Sequence, residues 1–114
     1  MTPEALLTLA LSLTHDRNHN VRSEAGRALA LVASLASTGL AATVESRLND
    51  LLHEAGAIVP RFALLGLAES AKRGVRPPAQ LLAAVSDLHN RHLAASVRWA
   101  AGHVLKVVVA EGAR

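Results

Sequence analysis

Six histidines occur in this 114-residue chain, and five of them, His15, His19, His53, His89 and His92, fall at or near polar breaks between apolar segments. Imidazoles gathered at turns are ligands that zinc accepts, so metal binding is the first chemistry to weigh. The spacing speaks against it. His15 and His19 straddle a break instead of sharing a helix face, so they lack the geometry of a helical metal motif. Turns of stacked helical hairpins lie about 10 Å apart, too far for histidines from different turns to share one ion. Histidine near a helix C-terminus also has an ordinary role, satisfying free carbonyls and favouring the helix dipole. No metal site and no cofactor are expected.

Catalysis has little to build on. Nine acidic residues are scattered, the nearest pairs being Asp50 with Glu54 and Glu45 with Asp50. No serine-nucleophile elbow, zinc-protease helix or phosphate loop is present, and Gly26, Gly66 and Gly102 lie inside helical patterns. The absence of cysteine excludes disulfides and thiolate ligands or nucleophiles, and is compatible with a reducing, cytoplasmic location. The chain reads as a non-enzyme.

The elements that would carry these residues are helices. Just over half of the residues are apolar, mostly Ala, Leu and Val, with one Phe, one Trp and no Tyr. That composition favours closely packed helices over a β-sandwich. Thr2-Pro3-Glu4 is a helix start, with Thr2 capping and Pro3 in the first turn, and the first helix is expected to run to about Thr14. Further helices are expected over about 19–36, ended at Gly39, then over 40–53, 57–72, 78–89 and 94–110, with a frayed tail at 111–114. Val21, Ala25, Ala28, Leu29 and Val32 mark the apolar stripe of the second helix. The N-terminus has no signal-peptide pattern, and the apolar run Ala5 to Leu13 is too short to span a bilayer.

One period organises the chain. Val21, Val59 and Val97 are each 38 residues apart, and the same offset aligns Ala25, Ala63 and Ala101 as well as Leu29, Leu67 and Leu105. Two steps of it match Arg22 to Arg98, Gly26 to Gly102 and Val32 to Val108. The paired glycines suggest close approach of helices. The segment Asp16 to Leu29, D-x-x-x-x-V-R-x-x-A-x-x-A-L, resembles the core of a HEAT repeat. Val97 to Leu105 is a partial second copy with His92 at the Asp position, and Val59 to Ala63 is the divergent one, with Pro60 for Arg and Glu54 for Asp. The resemblance implies an all-α fold: a right-handed α-solenoid of three HEAT-like hairpins and about six helices, with repeats near 2–38, 39–76 and 77–114. It also implies that the Asp and Arg bridge neighbouring turns, with the substitutions interrupting a continuous ladder. About three such units are needed for a stable core. Neither end carries a polar capping repeat, so the apolar end helices are expected either to self-associate or to continue into a longer array.

The register also lines up a candidate binding strip. Ser23, Arg61 and Trp99 share one position, Arg27, Leu65 and His103 another, and Ala30, Ala68 and Lys106 a third, with Lys72 beyond. In solenoids of this kind such positions flank the concave surface. Arg27, Arg61, Trp99, His103 and Lys106 are therefore the expected contacts for a protein partner, acidic in character, bound by a non-catalytic scaffold module. The alternatives are phosphate-backbone binding of nucleic acid through the same strip and a structural role in an oligomer. A net charge of +3 without aromatic stacking platforms or arginine runs weakens the nucleic-acid alternative. No membrane interaction is expected.

Overall fold

Thr2 starts the first helix as expected, its hydroxyl accepting the Ala5 amide at 3.1 Å with Pro3 behind it. In the computed structural model, which describes residues 1–113, this helix is α1, Pro3–Leu13. It is followed by α2 (His19–Val32), a 3₁₀ turn (Ala33–Leu35), α3 (Thr38–Leu52), α4 (Ile58–Lys72), α5 (Ala79–Arg91) and α6 (Ala95–Gly112). The described residues are all-helical, without strands. Asn18 caps α2 by accepting the Asn20 amide at 2.8 Å, and Pro60 lies in the first turn of α4, where its missing N–H costs no helical bond.

Two boundaries differ from expectation, each for a local reason. The second helix tightens into a 3₁₀ turn at Ala33, and the chain leaves it through extended backbone at Ala36. No left-handed residue is needed there, so Gly39 enters α3 as its second residue. The last helix continues through Glu111 to Gly112; Arg114 of the expected tail lies outside the described residues. Gly74 takes the left-handed conformation (φ 88°) after α4, where its amide bonds Ala71 O at 3.0 Å and the Val75 amide bonds Ser70 O at 3.1 Å. This pairing satisfies the last carbonyls of α4 and turns the chain toward Pro77-Pro78.

α4 packs between α2 and α6, α1 packs on α2, α5 on α6, and α3 on both α4 and α5. The extents of 36 × 35 × 18 Å make a slab whose thin dimension fits two helices, each about 10 Å across. Leu7, Leu29, Leu48, Leu51, Leu52, Leu64, Leu81, Val97 and Val104 fill its interior. Along the expected stripe of α2, Ala25 and Leu29 are buried, Val21 and Val32 half-buried, and Ala28 is exposed. In α1 only Leu7 and Ala10 are buried, while Leu6, Leu9 and Leu13 are 37–46% exposed.

Among the glycines, the tightest approach between helix backbones is at Gly66. A Cβ there would sit 2.5 Å from Arg27 O and 2.7 Å from the Ala30 Cβ, so α4 lies against the backbone of α2. Gly26 faces the same seam more loosely, with Leu51 Cδ1 at 3.3 Å from its virtual Cβ and the Ala63 Cβ at 4.0 Å.

Candidate functional site

The turn residues form bridging hardware. Arg22 Nη1 donates to Asp16 O and Arg17 O, both at 2.9 Å, while Nε and Nη2 hold Glu54 Oε1 at 2.9 and 2.7 Å. The arginine thus closes its own turn and ties it to the next. Arg98 repeats the first half two periods later: its Nη1 donates to His92 O at 2.6 Å and Leu93 O at 2.9 Å. The side-chain acceptor within the turn is repeated too. Asp16 Oδ1 accepts the Asn18 amide at 2.9 Å, and His92 Nδ1 accepts the Ala94 amide at 2.9 Å. His92 stands in for the aspartate with its unprotonated ring nitrogen. Pro60 at the middle position has no side-chain donor to make such a clamp.

The expected strip divides once neighbouring helices are in place. Ser23, Ala30 and Ala68 are buried and offer no surface, Ala30 lying against Gly66 of α4. Arg27 is half-buried, with Nε donating to Glu69 Oε1 at 2.8 Å and Nη2 on the same oxygen. Its charge is already matched within the fold. Arg61 is exposed on α4.

Trp99, His103 and Lys106 come together on α6. They line a hollow of about 570 Å³ with His89, Gly102, Leu105, Val109 and Ala110. Trp99 is 66% exposed and stacks on His103, with ring centroids 5.4 Å apart and planes within 8°. That separation with near-parallel planes is an offset stack, which fixes the indole on the surface without burying it. His89 forms one wall: its Nδ1 bonds Arg98 O at 3.0 Å, and its ring lies 2.9 Å from where a Gly102 Cβ would be. Gly102 therefore makes room for an imidazole. Val109, 71% exposed, extends the apolar floor beyond Lys106. Sequence reasoning passed over His89, Gly102 and Val109 as members of this site. Their signal was positional, since Gly102 shares the register of Gly26 at the α2–α4 seam.

The other turn histidines are engaged locally or stand apart. His53 Nδ1 bonds Asn49 O at 2.8 Å, inside the last turn of α3. Among the described residues no three His, Asp or Glu side chains converge in a way that would hold a metal ion. No helix among them is long and apolar enough to cross a membrane. Compared with known proteins, the chain matches no family model, no curated protein and no solved structure.

Proposed function

We propose that the chain is a non-catalytic protein-binding module of the HEAT-like α-solenoid type. Its contact surface is the side presented by the second helices of the hairpins, centred on the α6 hollow. One observation carries this reading: the only Trp is held two-thirds exposed by an offset stack on His103, beside Lys106, over an apolar hollow. A large aromatic pre-ordered on the surface next to a cation is the composition of an interface anchor. Ordering it in advance lowers the entropic cost of binding. Lys106 favours an acidic residue on the partner. Arg27 drops to a supporting role because Glu69 already neutralises it, and Arg61 serves as an outlying contact on α4.

The test is site-specific photo-crosslinking. A photoreactive amino acid in place of Trp99 gives discrete protein adducts that disappear in a Lys106→Glu background, whereas the same group at the exposed Gln80 on α5 gives none. Equal labelling at both positions, or adducts with nucleic acid alone, overturns the reading.

A further inference from the structure

We infer that the occupant of the α6 hollow is a second copy of this chain, presented end to end. The inference rests on the protein-docking reading above and names its partner. Its basis is what the 38-residue register says about covered and uncovered faces. On α2, the positions Ser23, Gly26 and Ala30 are buried and Arg27 is half-buried; Gly66 of α4 lies on Arg27 and Ala30, and Leu51 covers Gly26. Two periods on, the same positions of α6 are Trp99, Gly102, His103 and Lys106, the residues that line the hollow. The hollow is therefore the place on α6 where, on α2, the next hairpin sits.

The opposite end of the molecule carries the matching half. In the α2–α4 seam the covering residues are Leu51, which reaches Gly26, Gly66, which lies on Arg27 and Ala30, and Glu54, which pairs with Arg22. One period earlier these are Leu13, Ala28 and Asp16, all exposed. Leu6 and Leu13 are 37% and 39% exposed, whereas their equivalents Val44 and Leu51 are 2% and 0% exposed. The α1–α2 face is thus an apolar surface of the kind that α3 and α4 bury. Charge agrees as well. Arg98 has its carbonyl clamp but forms no ion pair with a carboxylate among the described residues, and Asp16 of an incoming copy occupies the position that Glu54 holds against Arg22. Ala28 replaces Gly66, so the spacing of the copies follows the α4–α6 seam, where Val104 occupies that position.

In this arrangement Leu13 of one copy packs on the outer edge of the His89 ring, which fills the space over Gly102 of the other, Trp99 and Val109 are covered, and Asp16 meets Arg98. The contact joins two different faces and does not close on itself, so it propagates into linear chains.

Two surface variants test the geometry. Leu13→Glu blocks one face and Val109→Glu the other; both side chains are exposed enough for the fold to tolerate the change, which circular dichroism checks. Leu9→Glu and Lys106→Glu serve as a second pair should either fail to fold. Sedimentation velocity of the unaltered chain is expected to show mass rising with concentration above the 11.9 kDa of one chain. Each variant alone is expected to remain monomeric. An equimolar mixture of the two is expected to give a species of twice the chain mass and no larger, because one competent face of each kind remains. A symmetric dimer through α6 is overturning and is recognised by Leu13→Glu still dimerising. An unaltered chain that stays monomeric at every concentration also overturns the second copy as occupant. In that case Trp99-dependent adducts to another protein would leave the docking reading standing, and their absence would remove both.

Discussion

Replacing Gly66 with Ala tests the tight contact between α4 and the α2 backbone. The new methyl would lie 2.5 Å from Arg27 O, 2.7 Å from the Ala30 Cβ and 3.1 Å from Arg27 C. Two of these atoms are backbone and the third is fixed to it, so no rotamer change relieves the overlap. Ordinary contact begins near 3.4 Å, and α2 and α4 must separate by roughly the difference, loosening the seam along both helices. Overpacking of this kind costs about 1–3 kcal/mol, occasionally more. Against it stands a helix-propensity gain of about 1 kcal/mol for Gly→Ala. With backbone atoms in the way, the upper part of the range applies, and the net loss is about 1–2 kcal/mol. At about 4–8 °C per kcal/mol, the thermal midpoint is expected to fall by roughly 5–15 °C. Gly39→Ala is the control, since that helical glycine has nothing within 4 Å of its virtual Cβ. It is expected to be neutral or to stabilise by up to about 1 kcal/mol. Thermal unfolding followed by circular dichroism reads both. If the two variants stabilise alike, α4 does not lie on the α2 backbone as described.

Arg22→Ala removes the carbonyl clamp and leaves Glu54 partly buried without its partner, so a loss of about 1–3 kcal/mol is expected in urea unfolding. Arg98→Ala removes only the clamp and is expected to cost clearly less; equal losses would mean that the Glu54 pair contributes nothing. His92→Ala deletes the acceptor for the Ala94 amide in the turn before α6, with an expected cost of about 0.5–1.5 kcal/mol, the range for one lost hydrogen bond. His92→Asp is expected to restore it, because Asp16 makes the same bond to the Asn18 amide in the first turn. Both are measured by the midpoint of denaturant unfolding.

The all-helical class was legible in the composition, and the 38-residue period made two of the turns legible as equivalents. The 38-residue register placed Arg22 and Arg98 in equivalent positions, and they clamp equivalent carbonyls. It also placed His92 and Asp16 together, and both accept the amide two residues on. What the register does not carry is the identity of the neighbour over each flank. It set Ser23, Ala30 and Ala68 on the same strip as Trp99 and Lys106, yet the first three are buried and the last two are exposed. A helical pattern gives the angle of a side chain about its own axis, and burial depends on what arrives from elsewhere in the chain. The Arg27–Glu69 pair shows the same limit, since the register counterparts of Glu69 are Leu31 and Val107 and give no hint of a carboxylate. The stack of Trp99 on His103 had a local signal in their four-residue separation along one helix. The hollow beside them required the fold.

Trp99, the only tryptophan, reports directly on whether the α6 face is a docking surface between copies. Its emission maximum, followed as the chain is concentrated, is expected to move to shorter wavelength as the indole is covered, and to stay fixed in Leu13→Glu, which leaves Trp99 untouched. An emission maximum that remains that of a water-exposed indole at every concentration, or that shifts equally in Leu13→Glu, would contradict it.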